Sequence, residues 1–150
     1  MALELSETNL HRVQRILQDF LVMSESQACL VCDSGGHALV EHGMTENDPF
    51  LIAALGAGGF AASRELARLL GEDEFSAVFH QGDKKSIFIR AIDGDALLVV
   101  IFSNRASLGL VKLYSAPAAA ELRLILAGDQ RSADPEEGQF VVSESSRMFG

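Results

Sequence analysis

Long apolar runs, cysteine and positive charge are all scarce in this chain of 150 residues. The longest strongly apolar run, Ala96-Leu97-Leu98-Val99-Val100-Ile101-Phe102, has seven residues. A helix needs about twenty to cross a bilayer, so no membrane-spanning segment is expected. The opening Met1-Ala2-Leu3-Glu4-Leu5 has no basic region ahead of an apolar stretch, so no secretory signal is expected either. Two cysteines do not make a disulfide scaffold. Lysine and arginine number 12 against 21 acids, which leaves a net charge of −9. Nucleic acid and anionic membrane are poor partners for such a chain, because both are bound by positive charge that displaces counterions. What is present is a 48% apolar composition. Over a length that suits one domain, this is enough for a core. The expectation is a cytosolic, single-domain, acidic protein.

The pattern along the chain predicts eight elements. Ser6 caps a helix to about Met23, with Leu10, Val13, Leu17 and Phe20 on one stripe. Gln27 to Asp33 and His37 to Gly43 read as two strands joined by the turn Ser34-Gly35-Gly36. Asp48-Pro49 starts a second helix, a capping acid followed by proline where its missing N–H costs nothing. Leu70 ends it and Gly71 stops it. Three strands follow: Ser76 to Gln81, Lys85 to Ile92, and Ala96 to Phe102. In the second of these, Ile87 and Ile89 face one side, Phe88 and Arg90 the other. The third is apolar on both faces, as a central strand covered by helices on both sides should be. Asn104 or Ser107 caps a last helix to about Ala127, in which Pro117 predicts a kink or break. Residues 1–128 therefore form the domain. Residues 129–150 read as a flexible polar tail carrying two apolar clusters, Phe140-Val141-Val142 and Met148-Phe149.

The middle helix is unusual, because Pro49 to Ser63 contains no charged residue. At 100° per residue Leu51, Leu55, Leu66 and Leu69 share one face. The opposite face carries Ala53, Ala54, Ala57 and Ala61, with Phe60 at its margin and Arg64 and Arg68 further on. A helix without a charged side should be buried all round. One side can pack on the sheet, and a domain with two other helices has little left to cover the second. The alanine side lets another backbone approach closely, which predicts a protein–protein surface, self-association being its simplest form. The alternative is that another helix of the same chain covers it.

Motifs that would carry chemistry are weak. Cys29 and Cys32 have C-x-x-C spacing but lie within a strand, where residues three apart point to opposite faces, so they read as core thiols. Gly56-Ala57-Gly58-Gly59 resembles part of a phosphate loop, but it lies inside a helix with no Lys-Ser/Thr pair after it. His11, His37, His42 and His80 sit on separate elements without metal spacing. Lys84-Lys85 reads as a solvated hairpin tip or as a steering charge for an anionic partner. No cofactor, metal or active site is expected.

Four segments together resemble the Roadblock/dynein light chain family, most of all its bacterial MglB branch. They are Leu69-Leu70-Gly71-Glu72-Asp73-Glu74-Phe75, Phe79-His80-Gln81-Gly82, Leu97 to Phe102, and Leu108-Gly109-Leu110-Val111-Lys112-Leu113-Tyr114, and the hairpin with Asp33, Gly35 and Gly36 also fits. The resemblance implies an α+β, profilin-like fold of order α-β-β-α-β-β-β-α. It places a five-stranded antiparallel sheet between the middle helix on one face and the terminal helices on the other. It implies a homodimer in which the middle helices lie side by side and the strand Ser76 to Gln81 pairs across the two-fold axis. It implies that one dimer binds one small Ras-like GTPase (MglA-type), in cell polarity or motility, and speeds GTP hydrolysis. The activator supplies no arginine finger; it reorients the GTPase's own catalytic residues.

The expected dimer seam and GTPase platform comprise Ala53, Ala54, Ala57, Gly58, Phe60, Ala61, Arg64, Arg68 and His80. Some relatives grip the GTPase with a C-terminal segment and promote exchange, which nominates Phe140, Val142, Met148 and Phe149 as tail contacts. The alternatives are a scaffold that tethers a GTPase or another Roadblock protein without altering hydrolysis, and an exchange factor acting through the tail. An enzyme using Cys32 or a histidine ranks last.

Overall fold

The computed structural model describes residues 5–73 and 75–133 of the chain. Its elements run α1 (Glu7–Ser24), β1 (Ala28–Asp33), β2 (Ala38–His42), α2 (Pro49–Leu69), β3 (Ala77–Gln81), β4 (Lys85–Asp93), β5 (Ala96–Ser103) and α3 (Leu108–Ala133). The strands form one antiparallel sheet in the order β2-β1-β5-β4-β3. Local chemistry sets most of the boundaries. Ser6 Oγ accepts the Asn9 N–H at 3.2 Å, and Asp48 caps α2 by accepting the Phe50 N–H at 2.9 Å. Gly71 takes φ +80° just past α2. The αL turn there would strain any side chain with a Cβ.

The two faces of the sheet carry two cores. Under α1 and α3, Cys29, Val31, Phe88, Leu98, Val100 and Phe102 meet Val13, Leu17, Phe20, Leu122 and Ile125. Under α2, Leu30, Cys32, Ile89, Leu97 and Val99 meet Ala53, Ala57 and Phe60. Cys29 and Cys32 thus lie on opposite faces, both buried and both free thiols. Burial pushes both thiols up, Cys32 to about 12 with the Asp33 charge adding to the effect. That removes the thiolate on which redox or nucleophilic chemistry depends.

Two expectations about α3 change. It runs as one helix through Pro117, so of the expected kink or break the break does not occur. Proline cannot bond the carbonyl four residues back, but Pro117 and Leu113 both face solvent, which leaves that carbonyl open to water. The helix also continues past Gly128 to Ala133. Asp129 is buried and belongs to the domain: its carboxylate accepts the Ser6 N–H at 2.8 Å and the Asn9 side-chain amide at 2.7 Å. A negative charge at the N-terminus of α1 is favourable to the helix dipole. The packed structure therefore extends past residue 128, at least to Asp129 and the end of α3.

The helix α2 is long and apolar enough, by length and composition alone, to cross a membrane. In the fold it instead packs on the sheet through a stripe of Ala53, Ala57, Phe60 and Ala67.

Candidate functional site

The side of α2 that touches the sheet is the reverse of the expected one. Ala53, Ala57 and Phe60 are buried against the chain's own strands, so they are not available as a dimer seam or a platform for a partner. The large side chains point outward: Phe50, Leu51, Leu55, Leu66, Leu69 and Leu70 are all exposed. The reason is distance. The β1–β2 turn comes so close to α2 that a Cβ on Gly36 would lie 2.9 Å from the Ala54 Cα, and Gly36 itself has φ +92°. The close approach holds at this end of α2, where the small Ala53 and Ala57 are buried; further along, Phe60 fills the space over the strands. Sequence reasoning put the bulky residues in the core. The signal that identifies the buried side is the spacing of Phe60 with Ala53, Ala57 and Ala67, which lie seven, three and seven positions away on one helical face.

The other members of the expected site divide differently. Ala54, Gly58 and Ala61 are exposed beside the leucine strip, and Gly58 has open space around its Cα. Arg64 is half-buried: its Nη2 donates to the Gly94 carbonyl at 3.3 Å and its guanidinium lies 5.3 Å from the Phe60 ring centroid. Arg68 is exposed and pairs with Glu65 at 2.9 Å. His80 is exposed on β3. The tail candidates Phe140, Val142, Met148 and Phe149 lie outside the described residues.

Three features meet at the foot of α2. The helix packs mainly over β1, β2 and β5, so the same face of β4 and β3 is left partly open, with Ile87 and Val78 only half-buried. A groove of about 260 Å³ runs there, lined by Leu55, Gly56, Gly59, His80, Ile87 and Val99. Beside it β3 forms an outer edge of the sheet, pairing only with β4 among the described residues. Its sequence, Ala-Val-Phe-His-Gln, carries neither proline nor lysine, two of the devices that blunt an edge against pairing. The apolar strip, the groove and the outer edge are contiguous and together form an extended uncovered apolar feature of the described fold.

At the opposite end of the sheet, Asp33 closes the β1–β2 turn. Burial raises its carboxyl pKa, but the backbone N–H and ring of His37 and the Gly35 N–H outweigh this and hold it below the ordinary value. The His37 N–H donates to Asp33 Oδ1 at 2.9 Å, and Nδ1 lies 3.1 Å from both carboxylate oxygens. Lys85 pairs with Glu46 at 2.8 Å, which accords with a solvated hairpin tip. Among the described residues no group of three or more His, Cys, Asp or Glu side chains is placed to hold a metal.

Comparison with known proteins adds to this geometry. The Roadblock/LC7 domain family matches residues 12–102. The gliding protein MglB of Thermus thermophilus is 30% identical, with a TM-score of 0.78 over 84% of this chain and 96% of that one. Myxococcus xanthus MglB is 33% identical, with a TM-score of 0.74 over 78% of this chain and 96% of that one. An MglB structure described as having a tetrameric arrangement is 30% identical, with a TM-score of 0.79 over 85% of this chain and 96% of that one.

Proposed function

The chain belongs to the Roadblock/LC7 family, and on that premise we propose that it is a homodimeric regulator of a small Ras-like GTPase of the MglA type, with no active site of its own. The observation that carries the reading is the one-sided burial of α2. Ala53, Ala57, Phe60 and Ala67 face inward, and an outward leucine strip adjoins a groove and an outer β3 edge. A second copy related by a two-fold axis lays its α2 beside the first and pairs β3 with β3, closing strip, groove and edge in one contact. A tetrameric arrangement among the MglB relatives supports self-association of this fold.

The paired α2 helices then present Ala54, Gly58 and Ala61, with Arg64 and Arg68 further along, as a platform for the GTPase. Hydrolysis in a small GTPase is limited by placement of the attacking water and of charge-stabilising groups. A platform that binds the hydrolysis-competent arrangement more tightly than the resting one speeds the reaction by that difference in affinity. Arg64 is tied to Gly94 and stacked near Phe60. This supports an activator that repositions the GTPase's own residues over one that inserts an arginine.

The test uses light scattering on the full chain, alone and with an MglA-type GTPase in each nucleotide state, together with phosphate release. The expected result is a dimer that binds the GTPase and accelerates release. Binding without acceleration assigns the scaffold role, and a monomer that ignores the GTPase refutes the reading.

A further inference from the structure

A second groove lies on the other layer of the molecule, between α1 and the C-terminal half of α3. It has a volume of about 550 Å³. Ile16, Leu124 and Ile125 form its apolar part, and His11, Arg12 and Arg15 its basic part. Leu124 is 74% exposed. Among the described residues, neither arginine is in an ion pair; Arg12 donates only to Asn9 Oδ1, at 3.0 Å. Among the described residues Glu121 is the one acid in the lining. A patch that is both basic and apolar stands out on a chain of net charge −9.

We infer that this groove is the docking site, within the same chain, of the acidic segment that follows α3. Its sequence is Asp134-Pro135-Glu136-Glu137-Gly138-Gln139-Phe140-Val141-Val142. Charge complementarity and connectivity both point to this occupant. Glu136 and Glu137 meet Arg12 and Arg15, and Phe140 and Val142 cover Ile16, Leu124 and Ile125. The Asp129 contacts to Ser6 and Asn9 hold the end of α3 against the start of α1, so the chain leaves α3 at Ala133 beside the mouth of the groove. Pro135 cannot extend the helix and favours a change of direction. From Ala133 to Phe140 the chain spans at most about 25 Å. From Ala133 back to Glu121 along α3 is about 18 Å, so the reach is sufficient. The inference does not depend on dimerisation or on GTPase activation. Its consequence for a partner is competition: Phe140 and Val142 seated in the groove are withheld from any other protein.

The experiment uses the full chain with Ser143→Cys carrying a nitroxide label. Cys29 and Cys32 are buried with raised pKa values and do not compete for the label. The expected result is at least a several-fold loss of amide signal intensity at residues 9–16 and 121–128, restored when the label is reduced. Arg12→Glu with Arg15→Glu should abolish the loss, and adding Glu136→Arg with Glu137→Arg should bring it back. Both arginines are exposed, so the fold tolerates their reversal. No signal loss in the labelled chain overturns the inference. So does loss that survives arginine reversal. Loss seen only when labelled and isotope-enriched chains are separate molecules assigns the groove to a second copy and likewise overturns it.

Discussion

Leu55→Arg probes the point where the leucine strip of α2 meets the groove. Leu55 is 70% exposed in the single chain and lines the groove with His80 and Ile87. Complete burial of a leucine contributes about 1.5–3 kcal/mol, so covering the exposed 70% contributes about 1–2 kcal/mol. A two-fold interface contains the residue twice, which brings the contribution to about 2–4 kcal/mol. Arginine forfeits this and sets two like charges near the seam. At about 1.4 kcal/mol per tenfold, the dimer dissociation constant should rise roughly 30-fold to 1,000-fold. Sedimentation or light scattering over a dilution series measures it, with thermal melting as the control for folding. Because the side chain lies outside the core of the subunit, the variant should melt cooperatively as a monomer.

Ala57→Arg is the paired control. Ala57 is 5% exposed against the sheet, and a charge forced there should unfold the chain rather than separate folded copies from each other. A folded, monomeric Ala57→Arg beside a dimeric Leu55→Arg would refute the assignment of the two faces.

The other predictions concern the supports of the site. Gly36→Ala should destabilise by about 1–3 kcal/mol in denaturant titration, because φ is +92° and the new Cβ would meet Ala54 at 2.9 Å. Asp33→Asn should lower stability at pH 7 by about 1–3 kcal/mol, the cost of loosening a buried charged hydrogen-bond acceptor. The folded Asp33 pKa lies below the ordinary value. The carboxylate's contribution is therefore complete above the unfolded pKa of about 3.9 and is lost as pH falls through the folded one. Melting temperatures of parent and Asp33→Asn should converge below about pH 4; a gap that stays constant there would refute the role of the charge. Asp129→Ala should cost about 1–2 kcal/mol and increase hydrogen exchange at the first turn of α1, since it removes both bonds to Ser6 and Asn9. Unchanged exchange would show that Asp129 does not secure that turn.

Much of this architecture is legible in the order of residues because caps and turns are set by close neighbours. Ser6, Asp48-Pro49 and Gly71 mark helix ends, and the alternation of Ile87 and Ile89 with Phe88 and Arg90 separates the faces of β4. The unbroken apolar run Ala96–Phe102 likewise marks β5 as a strand covered on both faces, and it lies at the centre of the sheet. Such features depend on a few adjacent side chains and on the period of two or 3.6, so they survive without knowledge of the whole.

Other features depend on distances between regions of the chain remote in sequence. That α2 is apolar on both sides is evident from its composition, but composition alone cannot say which side is covered. Packing decides it: the turn at Gly36 comes close to the start of α2, Ala53, Ala57 and Phe60 fill the space over the strands, and the leucines are turned outward. Pro117 looks like a break until it is seen on the solvent side of α3, where the orphaned carbonyl is open to water. Asp129 reads as tail until the start of α1, more than a hundred residues earlier, is seen to donate to it. The chain alone showed that α2 is apolar on both flanks and predicted that one of them would be left for a partner. Only the close approach of helix to sheet decided which flank that is, because steric fit is a property of the assembled core and not of any local stretch.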